Sequence, residues 1–191
     1  MLFDYLIVLP FKSGGDPTDI FVDSGIVFGF AWVDDKEWHI DCMRLIEMFP
    51  FEENNYHSTK DILKKEINNL GRIRIGERER VIRRINDRAK IFCEHMKHVA
   101  YPNHESFQSL FGDILSLLIS RGEQFKVFNN DAIFLSNAHI WDNENDLVTP
   151  HFITTDKIDI YDNRDEIHAA VNSCLKCNST LNIEYVRNFF T

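Results

Sequence analysis

The sequence predicts an α/β protein, a three-layer α/β/α sandwich around a central, mainly parallel sheet. Short apolar segments of strand length alternate with longer segments of helical periodicity, which is typical of a parallel sheet covered by helices on both faces. The 191 residues suit one domain, and 44% of them are hydrophobic, enough for a substantial core. We divide the chain into an N-terminal extension (1–18) and one domain (19–191) with a helical insertion around 77–120.

The first elements are predicted from short apolar runs. Residues 4–9 and 20–23 have the length and composition of buried strands. A helix follows from about residue 24, where apolar residues begin to recur at helical spacing. Residues 37–49 show the same spacing and end at Pro50, which cannot continue a helix.

The middle of the chain is predicted to be helical. A helix over 60–69 follows Ser58 and Thr59, either of which is a suitable N-cap. Residues 77–98 form a long amphipathic helix with an apolar stripe on one side and arginines on the other. Residues 105–120 form a further helix with a broad apolar face.

The last third returns to alternating strands and helices. Residues 126–128 form a brief extended piece, and Asn130 caps a helix over 131–141. The closing segments are a polar loop, an apolar strand, an amphipathic helix and a final strand, over 142–146, 150–155, 162–176 and 181–186.

Four carboxylates lie beside apolar segments that would carry them into one cleft. Asp23 and Asp156 end predicted strands, and ligands of parallel sheets bind beyond the carboxyl ends of the strands. Glu66 lies in a predicted helix, and Asp131 begins one. Carboxylate oxygens hold Mg²⁺ or Mn²⁺, and such ions drive phosphoryl chemistry. The sequence therefore predicts that these four residues form a catalytic metal site.

Three of these acids also have a simpler interpretation. Asp23 could be only a helix N-cap, Asp131 could only complement a helix dipole, and Glu66 could be a surface residue. Other acids compete for the same role, namely Asp61, Asp142 and Asp159.

Charge is distributed unevenly along the chain. The net charge of −9 argues against nonspecific coating of DNA, yet residues 72–90 contain eight Lys and Arg against three Asp and Glu. Such a segment is either a solvated helix face with internal ion pairs or a track for phosphates. The predicted nucleic-acid-binding residues are Arg72, Arg74, Arg80 and Arg84.

The cysteines and the apolar runs indicate an ordinary intracellular domain. Cys174 and Cys177 have the spacing of a zinc knuckle, but no second pair accompanies them, and two residues on one helix face are the simpler interpretation. No apolar run approaches ~20 residues, and the apolar N-terminus lacks a basic leader. We expect a cytoplasmic protein without a membrane partner.

The order and context of these segments resemble the PIN-domain nucleases over roughly residues 19–188. The segments that carry the resemblance are Phe21-Val22-Asp23-Ser24, the helix with Glu66 over 61–67, Asn130-Asp131 with the apolar residues to 138, Phe152-Ile153-Thr154-Thr155-Asp156, and the closing strand over 181–186.

The resemblance implies a three-layer α/β/α nuclease that hydrolyses phosphodiester bonds, usually in RNA, with Mg²⁺ or Mn²⁺ as cofactor. Asp23, Glu66, Asp131 and Asp156 would be its acidic metal cluster. Ser24 and Thr154 would be the small hydroxyl residues that orient the carboxylates. The products would carry a 5′-phosphate and a 3′-hydroxyl. An antitoxin-like or other protein partner and a homodimer are further expectations, because many members are toxins.

Two other functions stay open. A haloacid-dehalogenase-like phosphatase would use Asp23 as its nucleophile, but that chemistry needs a second Asp two residues on, where this chain has Gly25. A PIN-like domain without turnover could instead serve as a binding module in an RNA-processing or toxin–antitoxin complex. The chain also differs from compact toxins in its N-terminal extension, its basic helix and its longer loop over 142–149.

Overall fold

A five-stranded parallel sheet organises the described part of the chain. The computed structural model describes residues 17–34, 38–73, 79–120, 125–176 and 179–188, with side chains described outside 70–73 and 125–128. The strands in this part of the chain are β1 (Asp19–Val22), β2 (Asn55–Ser58), β3 (Met96–His98), β4 (His151–Thr154) and β5 (Asn182–Tyr185). They pair in the order β3-β2-β1-β4-β5, and every pair is parallel.

Helices connect all the strands, as parallel pairing requires. Those of the described residues are α1 (Ser24–Ala31), α2 (His39–Met48), α3 (Lys60–Ile73), α4 (Glu79–Glu94), α5 (Phe107–Ile119), α6 (Phe125–Asn145) and α7 (Arg164–Leu175), with a 3₁₀ turn over Tyr161–Asn163 before α7. None of the helices described is both long and apolar enough to cross a membrane.

Ring contacts from neighbouring residues of β2 show that helices cover both faces of the sheet. The ring of Tyr56 lies 5.9 Å from Phe92 of α4, whereas that of His57 lies 4.4 Å from Trp141 of α6. Successive strand residues point to opposite faces, so α4 and α6 lie on opposite sides. Phe21 of β1 is in register with His57 and also contacts Trp141, at 5.8 Å. The predicted three-layer architecture is confirmed.

The strand order places a crevice beside β1. The chain leaves β1 for β2 on one side and later returns to β4 on the other, so the direction of winding reverses at β1. Ligands of such sheets bind at this switch point, outside the carboxyl ends of the strands. Asp23 directly follows β1, and Asp156 lies two residues beyond the end of β4, so both flank the crevice.

The predicted boundary of the basic helix was wrong at its C-terminal end. We predicted one helix over 77–98, but α4 ends at Glu94 and residues 96–98 form β3. The apolar pattern does not reveal where the helix ends, because buried Met96 lies four residues after Phe92 and so continues the helical spacing. The other missed strand, β2, has the mixed sequence Asn-Tyr-His-Ser instead of an apolar run.

The prediction around residue 130 was also wrong. Helix α6 begins at Phe125, so residues 126–128 are helical and Asn130 is not an N-cap. The helix extends to Asn145, beyond the predicted end at 141, because Asp142 is buried and ties its last turn to the segment before β5. The predicted polar loop over 142–146 is therefore mostly helix. The predicted strand over 4–9 lies outside the described residues.

Candidate active site

Asp23 is held at the junction of β1 and α1. Its Oδ1 accepts a hydrogen bond from the backbone N–H of Ile26 at 3.1 Å, so it is the N-cap of α1. Its Oδ2 accepts a hydrogen bond from the Thr154 hydroxyl at 2.5 Å. Only 4% of the residue is exposed. Most N-cap carboxylates lie at the surface, so capping alone does not account for this environment.

Thr154 connects the carboxyl ends of two strands. Its buried hydroxyl donates to Asp23 and accepts from the backbone N–H of Asp156 at 2.8 Å. Asp156 in turn accepts, through Oδ1, the backbone N–H of Asp159 at 2.8 Å. The two acids after β1 and β4 are therefore fixed relative to each other. Ser24, the other predicted hydroxyl residue, is the first residue of α1.

Glu66 reaches the site from α3 and is oriented by α6. Its Oε1 accepts a hydrogen bond from the Asn130 side-chain amide at 2.7 Å. Its Oε2 is buried and has no hydrogen-bond partner among the described residues. A buried carboxylate oxygen without a donor is costly, and a bound cation or water is the usual remedy.

Electrostatic coupling joins the four predicted acids. Burial raises the pKa of Asp23 to about 7; the hydrogen bonds from Thr154 and Ile26 oppose this, and the charges of Asp156 and Glu66 add to it. Burial also raises the pKa of Asp131 well above its usual value. The charges that further raise the pKa of Asp131 are those of Asp23, Glu66, Asp156 and Asp159. The carboxylates thus lie within electrostatic reach of one another.

The donor set suits a hard divalent cation. All the candidate ligands are carboxylate oxygens, which Mg²⁺ and Mn²⁺ prefer, and the unpartnered Oε2 of Glu66 lies among them. Across the described residues, however, no three His, Cys, Asp or Glu side chains are arranged as a ready metal-binding group. Mutual repulsion between carboxylates favours such spreading. Enclosing an ion would therefore require these side chains to move closer together.

The competing acids have different surroundings. Asp61 is at the surface of α3, with a side chain 73% exposed. Asp142 is buried and accepts hydrogen bonds from the Ser179 hydroxyl, from the Thr180 N–H and hydroxyl, and from the Leu181 N–H. Such full pairing within the protein indicates a structural role. Asp159, in contrast, acts electrostatically on Asp131.

Asn130 and Asp159 also interact with the predicted acids, Asn130 with Glu66 and Asp159 with Asp131. The sequence analysis gives Asn130 only as a helix cap and Asp159 only as a competing acid. The local sequence around either residue does not reveal its role, because that role depends on which helix or turn faces the crevice in the folded chain.

The basic segment divides into exposed and engaged arginines. Arg80 and Arg84 are exposed on α4. Arg83 pairs with Glu79 at 2.5 Å, and Arg88 donates to the Phe30 carbonyl at 3.2 Å and stacks on its ring. The described part of the segment therefore contains both exposed and paired cations. The side chains of the other predicted RNA-binding residues, Arg72 and Arg74, lie outside the described residues.

The Cys174 thiol points toward the Ser106 carbonyl, with Sγ 3.9 Å from the oxygen, whereas Cys177 lies outside the described residues.

Comparison with protein-family models, curated proteins and solved structures gives no match.

Proposed function

We propose that this protein is a metal-dependent endonuclease that hydrolyses phosphodiester bonds in RNA, as its resemblance to PIN-domain nucleases implies. The observation that supports this most is the coupling of Asp23, Glu66, Asp131 and Asp156 beside the switch point of the sheet. Carboxylates gathered at this edge repel one another, and a divalent ion relieves that repulsion.

The proposed roles follow from the local contacts. Asp23 and Asp131 would release protons when they bind the ion, because their environment keeps their pKa values high without it. Thr154 holds Asp23 and the Asp156 backbone, and Asn130 holds Glu66 so that Oε2 stays free to bind. A bound Mg²⁺ or Mn²⁺ would supply a water of lowered pKa and stabilise charge on the phosphate.

A haloacid-dehalogenase-like phosphatase fits the same crevice poorly. Its chemistry needs a second Asp at the position of Gly25. A Cβ atom at Gly25 would come within 1.9 Å of the Thr155 hydroxyl oxygen, so a side chain there would require Thr155 to shift. Gly25 thus serves the close approach of α1 to the end of β4.

A binding module without turnover is the second candidate. The spread of the carboxylates favours it, since the described acids do not form a ready metal-binding group. The uncompensated Oε2 of Glu66 and the raised pKa values favour the nuclease instead, because a domain without catalysis gains nothing from keeping this unfavourable cluster. An antitoxin-like or other protein partner and a homodimer stay predictions.

A cleavage assay distinguishes the two functions. Structured and unstructured RNA are incubated with the protein in Mg²⁺, in Mn²⁺ or in EDTA, beside Asp23→Asn and Asp61→Asn. The nuclease proposal expects cleavage by the wild type and by Asp61→Asn with either ion, and none in EDTA or with Asp23→Asn. RNA binding without cleavage under every condition would favour the binding module.

A further inference from the structure

A groove runs between α3 and α4 and is lined by lysines. The groove has a volume of ≈ 330 Å³. Lys60 and Lys64 line it from α3 and Lys90 from α4, while Ile67 and Cys93 contribute apolar surface. Lys60, Lys64 and Ile67 share one face of α3 because they are spaced by four and three residues.

Among the described residues, no carboxylate forms an ion pair with the lysines of this groove, although Glu94 also lines it. The chain as a whole carries a net charge of −9. A local group of free cations on an acidic protein is a site that attracts a polyanion.

One end of the groove reaches the edge of the sheet that holds the acidic site. The backbone N–H of Lys60 donates to Nδ1 of His98, the last residue of β3, at 3.1 Å. Just before it, the Ser58 hydroxyl donates to the carbonyl of Val22, which precedes Asp23, at 2.8 Å. Lys60 therefore lies at the same carboxyl edge as Asp23.

We infer that this lysine groove binds the phosphodiester backbone of the RNA strand that enters the acidic site. The inference rests on the proposed function and names where its substrate lies. Lysine is a point charge that suits phosphates, and none of the described residues that line the groove is an aromatic that could stack on bases. Binding there is therefore independent of sequence and sensitive to salt.

The groove is distinct from the exposed arginine face of the same helix. Arg84 lines a separate cavity against Trp32, at the end of α1, whereas Lys90 lines the cavity against α3. The two sets of cations thus flank α4 on different sides, and separate variants can test them.

The first test compares two double variants with the same change in charge. Lys64→Gln with Lys90→Gln alters the groove, and Arg44→Gln with Lys176→Gln alters exposed cations elsewhere. Affinity for a labelled single-stranded RNA of about 12 nucleotides is measured across a salt series, with Ca²⁺ in place of Mg²⁺. The groove variant should reduce the slope of log affinity against log salt by about 1.4, because each lost contact contributes about 0.7. The control variant should keep the slope of the wild type.

The second test uses Cys93 as a reporter inside the groove. Alkylation of each cysteine is followed by peptide mapping at mildly alkaline pH, since burial raises the pKa of the Cys93 thiol. RNA should slow alkylation of Cys93 and leave that of Cys174, on α7, unchanged. The measurement needs no cleavage, so it is independent of turnover.

Three results would overturn the inference. Equal slopes of log affinity against log salt for the groove variant and the wild type, with Cys93 unprotected by RNA, would show that the groove does not bind RNA. The nuclease proposal would stay intact. Equal protection of Cys93 by polyglutamate and by RNA would assign the groove to acidic peptides. Absence of any RNA binding by the wild type would reject both the groove and the proposed RNA substrate.

Discussion

At the scale of single residues, Asp23 has two opposing effects on stability. It caps α1 and so stabilises the helix, yet its buried charge faces other carboxylates. Hydrogen bonds from the Ile26 N–H and the Thr154 hydroxyl hold the Asp23 carboxylate in this buried position. A neutral N-cap residue would cap α1 without the cost of burying a charge beside other carboxylates. The charge of Asp23 therefore indicates a role beyond capping.

Asp23→Asn should abolish metal-dependent cleavage and raise the thermal stability of the metal-free protein at neutral pH. The amide keeps an acceptor for Ile26 N–H and can donate to the Thr154 hydroxyl, while the buried charge is removed. Cleavage assays and thermal unfolding in EDTA measure the two effects. Asp61→Asn, an exposed acid on α3, should change neither, and full activity of Asp23→Asn would remove this residue from the mechanism.

Asn130→Ala should weaken Mn²⁺ binding without unfolding the protein. Asn130 holds Oε1 of Glu66 and so fixes where the free Oε2 lies, which makes it a positioning residue. Loss of a partner that orients a metal ligand typically costs about 10–100-fold in metal affinity. Calorimetric titration with Mn²⁺ measures the change. Asn129→Ala, one residue earlier on α6, is the matched control, and equal Mn²⁺ affinities of the two variants would contradict this role for Asn130.

At the scale of elements, the start of α1 must approach the end of β4 closely. Gly25→Ala would bring a Cβ within 1.9 Å of the Thr155 hydroxyl oxygen. We expect a loss of roughly 1–3 kcal/mol in the free energy of unfolding, as for other overpacked sites. Urea denaturation of Gly25→Ala and Gly112→Ala gives the comparison.

Gly112→Ala is a suitable control because a Cβ there meets nothing within 4 Å and the residue lies inside α5. Alanine is preferred over glycine in a helix, so this change should stabilise the protein by up to about 1 kcal/mol. Similar effects of the two substitutions would mean that α1 and β4 do not need to be so close.

The exposed arginines of α4 give a separate prediction. Arg80→Ala with Arg84→Ala should flatten the salt dependence of RNA affinity, because both side chains are exposed cations four residues apart. Metal binding should stay unchanged, since neither is a ligand. Arg83→Ala is the control, because its guanidinium already pairs with Glu79. Parallel plots of log affinity against log salt for the double variant and the wild type would show that the Arg80 and Arg84 face of α4 does not contact RNA.

The sequence allows some elements to be predicted and hides others for physical reasons. The strands β1 and β4 are central and buried, so their apolar runs stand out and locate Asp23 and Asp156. Strand β2 does not stand out, because His57 is buried through its hydrogen bond to Asp19 and not through apolar character. Helix α6 begins at Phe125, before the predicted start at 131. The hydrogen bond of Asn130 to Glu66 could not be predicted, because it joins residues 64 positions apart in the chain.

At the scale of the whole molecule, the raised pKa of Asp23 makes folding depend on pH. Between its usual value of 3.8 and about 7, the folded state binds a proton that the unfolded state has lost. The free energy of unfolding therefore falls as pH rises through this range, and the loss is complete above about pH 7. The contribution is a few kcal/mol at most, since each unit of pKa corresponds to about 1.4 kcal/mol.

Buried histidines act in the opposite direction. Burial lowers the pKa of His139 to about 3, so its contribution favours folding as pH rises from that value toward 6.5. The prediction is therefore a difference: in EDTA, the stability gained by Asp23→Asn over wild type should grow between about pH 4 and 7, because His139 contributes equally to both. Chemical denaturation across this pH range measures it, and a constant difference would contradict a raised pKa for Asp23.

The central claim is that Asp23, Glu66, Asp131 and Asp156 bind one or more divalent cations at the carboxyl edge of the sheet. Calorimetric titration with Mn²⁺ in buffers of different ionisation enthalpy tests it most directly, because it counts the protons released on binding. At about pH 6 the wild type should bind Mn²⁺ and release at least about one proton, and at about pH 8 fewer, since Asp23 has a pKa of about 7. Asp61→Asn should match it, and Asp23→Asn should bind far more weakly. Absence of Mn²⁺ binding at both pH values, or equal binding by Asp23→Asn, would contradict the claim.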